Sequence, residues 1–162
     1  AWLQGAILKS LRAAHPYEEI AFDIYPLLNT ADNTGAGLVG DLPNEMTEVE
    51  CLNYIKNKFN LQVIRHTPFL HKKVKKIALC GGAGSFLTGL AKTAGADFYI
   101  TGDIKYHEFF EADGRLVLAD IGHYESEQFT IDLLADELTR NFPNFAVLKT
   151  GVKTNPVQYF IG

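Results

Sequence analysis

From Thr47 onward one pattern repeats: a short apolar run, a turn rich in glycine or acid, then a segment with helical spacing. Residues 62–65, 76–80, 98–101 and 116–120 read as strands, each four or five residues long. Helical stretches separate them. Thr47 and Glu50 form a capping box that opens a helix whose Leu52, Ile55 and Phe59 share a face. Residues 85–94 turn Leu87, Leu90, Ala91 and Ala94 inward, and 104–112 make a short helix. A long helix over 124–142 carries Ile131, Leu134, Leu138 and Phe142 on one side. Residues 145–148 make a further strand, and 157–161 are a candidate for another. Such alternation predicts an α/β fold, layered αβα, with a mostly parallel or mixed sheet.

The stretch before Thr47 is different. Leu3, Ile7, Leu11 and Ala14 fall on one helical face, which His15-Pro16 ends. The composition of 20–24 favours a strand. Residues 29–44, NTADNTGAGLVGDLPN, are rich in Gly, Asn and Asp, which marks a linker or a glycine-rich strand edge and a domain boundary. Residues 1–30 and 34–162 are therefore read as separate units. The chain opens in mid-pattern with Ala1-Trp2-Leu3 and no initiator Met, as a piece of something longer would.

A net charge of −4 suits a nucleic-acid partner poorly. The only basic run, Lys72-Lys73-Val74-Lys75-Lys76, lacks interleaved aromatics and reads as a solvated loop. No apolar run approaches the roughly 18 residues of a membrane span, and the first ten residues do not resemble a signal peptide. Cys51 and Cys80 lie inside apolar patterns, as buried free thiols in a reducing, cytoplasmic compartment would.

In layered α/β folds ligands gather at the carboxyl edge of the sheet. Three junctions here end a strand: 81–85, 101–107 and 120–127. Gly81-Gly82-Ala83-Gly84-Ser85 is either a tight turn with no ligand or an anion cradle of free N–H groups. It lacks the third glycine of a dinucleotide fingerprint and the Lys-Ser/Thr pair of a P-loop. Asp103 is a natural helix N-cap, with Lys105 and His107 on the first turns. His123 and Glu127 project from one helical face one turn apart, a spacing that suits two ligands of one metal ion or a helical ion pair. Three His-x-x-x-Glu pairs occur (His15/Glu19, His107/Glu111 and His123/Glu127), but only the last starts at a strand's carboxyl edge with further carboxylates, Asp120 and Glu125, beside it. Two ligands fall short of the three or four of a tight site.

Gly-Gly-Ala-Gly-Ser at 81–85, Ala-Asp-Phe-Tyr-Ile-Thr-Gly-Asp at 96–103, Lys-Tyr-His at 105–107 and Asp-Ile-Gly-His-Tyr-x-x-Glu at 120–127 occur in that order. Together they resemble the C-terminal lobe of the Ngg-interacting factor three family, also described as GTP cyclohydrolase I type 2 homologues, over residues 34–162. His15-Pro16-Tyr17-Glu18-Glu19-Ile20-Ala21-Phe22-Asp23-Ile24 resembles the end of a small α+β domain inserted in longer members, similar to PII and CutA-type folds. The resemblance implies one lobe of a two-lobed fold that holds two divalent metal ions (Zn, Fe or Mn) between its lobes and assembles into homo-oligomeric hexamers. His123 and Glu127 match the ligands of this lobe, and Asp103 and His107 match polar positions near them. The family's remaining ligands, a His-His pair and an Asp, belong to the other lobe, and no His-His occurs here. The implied activity is metal-dependent hydrolysis of a nucleotide-like substrate. Asp103 or His107 would relay a proton, and Gly82, Gly84 and Ser85 would hold a phosphate. The alternative is a non-catalytic metal- or nucleotide-sensing scaffold.

Overall fold

In the computed structural model, residues 3–25 and 34–160 are described. Contacts divide the chain into Ala1–Thr34 and Gly35–Gly162. The first unit contains helix α1 (Gln4–Ala14), which stops at His15 and buries none of its residues. The Arg12 guanidinium sits 5.8 Å above the Phe22 ring. Residues 20–24 are coil rather than the expected strand, because no neighbouring strand pairs with them among the described residues.

The second unit is built on a five-stranded mixed sheet of order β1-β3-β4-β5-β2. The strands are β1 (Leu38–Thr47), β2 (Arg65–His66), β3 (Lys73–Ala83), β4 (Phe98–Gly102) and β5 (Val117–Asp120). β3, β4 and β5 run parallel, while β1 and β2 pair antiparallel at the two edges. Much of the glycine-rich stretch thus becomes an edge strand, and only residues 29–33 of it lie outside the described residues. The basic run is not a loop. It starts β3, where Val74 fills the core and the Asp97 carboxylate accepts the N–H groups of Lys75 and Lys76 at 2.9 and 2.8 Å.

Helices cover both faces, as a layered α/β fold requires. Helix α2 (Glu48–Lys58) starts at the expected capping box, with Thr47 Oγ1 accepting from the Glu50 N–H and the Glu50 carboxylate accepting from the Thr47 N–H. It places Cys51 and Ile55 against Val74, Ile77, Phe98, Ile100 and Val117. Burial pushes the Cys51 thiol up to about 12. Helix α3 (Thr88–Thr93) and the 3-10 segment Tyr106–Ala112 cover the other face, around Tyr99, Leu116 and Leu118.

Three expectations are corrected by tertiary detail. Leu90 and Ala94 are exposed, because residues Ser85–Leu87 form a 3-10 turn that shifts the helical phase. The long helix breaks into α4 (His123–Glu127) and α5 (Thr130–Asn141). The Gln128 side chain donates to the Glu125 carbonyl, the acceptor that a continuous helix would offer to Phe129. Residues 145–148 and 157–160 are coil, with Phe145 and Leu148 exposed; residue 161 lies outside the described residues. None of the helices among the described residues is long and apolar enough to cross a membrane.

Candidate metal centre

Because β3, β4 and β5 are adjacent and parallel, their carboxyl ends bring the three polar junctions together. Asp103 follows Gly102 in a left-handed conformation, φ 56°, which turns the chain sharply off β4. Lys105, not Asp103, stands at the cap of the following 3-10 segment. Asp103 is left to face α4, where its carboxylate accepts the Nδ1–H of His123 at 2.6 Å. His123 Nε2 lies 3.3 Å from Glu127 Oε2, one turn on. Both side chains are half exposed.

The glycine loop bears on this pair through its backbone. Between the Leu79–Ile100 and Ala83–Gly102 pairings, β3 advances four residues while β4 advances two, so β3 bulges. Gly82, with φ +65°, approaches so closely that a Cβ would lie 2.6 Å from Glu127 Oε1 and 3.3 Å from His123 Nε2. Its N–H donates to Ser126 Oγ at 2.8 Å, and the Ser126 hydroxyl donates to the His123 carbonyl at 2.7 Å. The Thr101 and Tyr99 hydroxyls donate to the carbonyls of Gly82 and Gly84, and Ser85 donates to Glu108 at 3.1 Å. The loop therefore braces the centre. Gly82, Gly84 and Ser85 are not among the residues lining the neighbouring cavity of about 1030 Å³. Asp103, His123 and Glu127 do line it; His107, exposed on the 3-10 segment, does not.

Residues beyond the local motifs also face that cavity. Arg65 projects from β2 and donates to Asp120 and to the Ile104 carbonyl, the latter at 2.9 Å. Asn155 donates to Glu125 at 3.0 Å. Proximity to the Glu125 and Asp120 charges adds to burial in raising the Tyr159 hydroxyl pKa. No spacing rule ties Arg65 to Asp120 across 55 positions. The one available signal was an acid closing an apolar strand, which asks for a buried partner.

The divalent metal that the resemblance implies can be tested against these donors. A histidine held through Nδ1 by a carboxylate presents Nε2 as a ligand, and here a second carboxylate stands beside Nε2. No cluster of three or more His, Cys, Asp or Glu residues suited to a metal occurs among the described residues. The donor set fits part of a centre, not a closed four-ligand site.

The hydrogen bond to Asp103 raises the His123 pKa above its ordinary 6.5, with the Asp103 and Glu127 charges adding to it. A proton held more tightly in the folded than in the unfolded state stabilises the fold below the unfolded value, and that contribution disappears as pH rises through the folded value. In metal-free protein, wild type should therefore melt above Asp103→Asn at about pH 6, and the gap should narrow as pH rises through the folded His123 value. Thermal melts across that range check this; a gap that widens with pH would contradict it.

Comparison with known proteins extends this picture. The family described as Duf34/NIF3 (NGG1p interacting factor 3) matches residues 5–156. A "GTP cyclohydrolase 1 type 2 homolog" of Bacillus subtilis is 39% identical over 123 residues, 75% of this chain and 33% of that protein. One from Staphylococcus epidermidis is 33% identical over 149 residues, 90% of this chain and 40% of that protein. Among solved structures, a Bacillus cereus protein related to NIF3 superposes with TM-score 0.69 at 32% identity, covering 98% of this chain and 45% of that one. A Staphylococcus aureus protein gives TM-score 0.74 at 30% identity, covering 99% of this chain and 53% of that one. The chain spans less than half the length of the curated relatives it matches.

Proposed function

Because the chain belongs to the Duf34/NIF3 family, we propose that it contributes one part of a divalent-metal centre (Zn, Fe or Mn) in a homo-oligomeric, cytoplasmic, metal-dependent hydrolase of a nucleotide-like substrate. The observation that carries this reading is the His123 ring held between two carboxylates, Nδ1 on Asp103 and Nε2 towards Glu127.

His123 Nε2 and the Glu127 carboxylate are the groups that would hold metal, with further ligands coming from outside this set. Bound divalent ions would supply Lewis-acid polarisation of a substrate oxygen and an acidified water. Asp103 keeps the proton on Nδ1, so that Nε2 stays free as a donor. Arg65, exposed on the cavity wall, offers a cation to an anionic substrate group. Asp103 also lines the cavity, within reach of a proton to be relayed.

Titration of the purified protein with Zn²⁺ tests the assignment. Binding should weaken at least about tenfold in both His123→Ala and Glu127→Ala; equal affinity in wild type and both variants would overturn it. Metal-restored assays of GTP hydrolysis then separate a hydrolase from a sensor, which would bind nucleotide and release it unchanged.

A further inference from the structure

We propose that Asp120, with Arg65 as its counter-ion, is the positioning residue of the His123 centre: one buried carboxylate ties together the two backbone loops that present Asp103 and His123. Asp120 ends β5 and is 4% exposed. Its Oδ2 accepts the N–H of Ile104 at 3.0 Å and its Oδ1 accepts the N–H of Gly122 at 2.9 Å. Ile104 directly follows Asp103, and Gly122 directly precedes His123. The carboxylate thus bridges the two loops just beyond the β4–β5 ladder, whose last bond runs from the Ile121 N–H to the Thr101 carbonyl at 2.9 Å, and the 2.6 Å bond between His123 Nδ1 and Asp103 is made across that bridge.

A buried carboxylate needs a partner charge as well as N–H donors. Arg65 supplies it. β2 is only two residues long, and its pairing sets Arg65 directly opposite Asp120. The guanidinium donates to Asp120 Oδ2 and to the Ile104 carbonyl, so it grips the same loop from its other polar group. The Phe109 ring, 5.5 Å from the guanidinium carbon, flanks it. Neither loop can shift without breaking a bond to this pair. The loop after β4 also begins with backbone a non-glycine residue seldom adopts, φ 56° at Asp103, which the surrounding bonds must hold in place.

The test uses Asp120→Asn, which keeps the shape but replaces one accepting oxygen with an NH₂ group unable to accept from a backbone N–H. Long-range ¹H–¹⁵N spectra of metal-free protein, at a pH where the ring is neutral, report which nitrogen of His123 carries the proton. Wild type should show the Nδ1–H form, Asp120→Asn a mixture of both forms, and Asp103→Asn the same mixture. Zn²⁺ affinity should fall about 10- to 100-fold in Asp120→Asn. This second effect rests on the metal reading above; the first does not. A shifted proton with unchanged Zn²⁺ affinity upholds the positioning role and counts against the metal ligands. A folded Asp120→Asn with wild-type His123 signals overturns the proposal. If that variant fails to fold, Arg65→Met and Arg65→Lys carry the same comparison. Met should mix the two forms and Lys should largely restore Nδ1–H; wild-type signals in both overturn the proposal.

Discussion

Alanine at Gly102 is expected to destabilise the protein by about 1–3 kcal/mol, the range of an overpacked core, and to disturb the His123 centre as well. The added Cβ would lie 2.9 Å from the carbonyl carbon and oxygen of Gly122 and from the backbone nitrogen of His123. All three are main-chain atoms, so no side chain can rotate to make room. Strain in Gly102 itself does not enter, since it is not among the positive-φ glycines. The methyl group must instead push the end of β4 away from the start of α4, the direction that stretches the Asp103–His123 bond. Gly89 is the control. It lies in α3, where an added Cβ would meet nothing within 4 Å, and alanine there should stabilise by about 0.5–1 kcal/mol. Urea denaturation of the two variants should move in opposite directions, and only Gly102→Ala should lose Zn²⁺ affinity. Equal stability in both would mean that the β4 and β5 ends yield freely, and that the centre is not held by close backbone packing.

What could be read in advance was local. The Thr47–Glu50 capping box and the single turn separating His123 from Glu127 are relations within one helix, and spacing alone expresses them. The parallel order of β3, β4 and β5 follows from helices that cross between them. What could not be read was set by distant partners. β1 extends across a Gly- and Asn-rich stretch because β3 offers it a ladder, against its own poor strand propensity. Asp103 looks like a helix cap in sequence, yet its carboxylate goes to a histidine 20 positions on. The Arg65–Asp120 pair joins an edge strand to an inner one, and neither residue sits in a motif that names the other.

Periodicity also says that a face is apolar without saying what covers it, and this gives two expectations that differ sharply in size. Phe98 is fully buried in β4, the middle strand, among Ile77, Ile100, Val117 and Ala119. Phe98→Ala should cost about 3–5 kcal/mol through lost transfer energy and the cavity left behind. Against a total stability of about 5–15 kcal/mol for a domain, that brings the protein close to unfolding. Leu138 has equally regular spacing in sequence, but on α5 it is 45% exposed, and no residue of that helix is buried. Leu138→Ala should therefore change stability by no more than about 0.5 kcal/mol. Denaturation midpoints of the two variants at low protein concentration decide the matter. Comparable losses would mean that the apolar face of α5 is covered in solution, and that the stable unit is larger than the sheet and the helices packed on it.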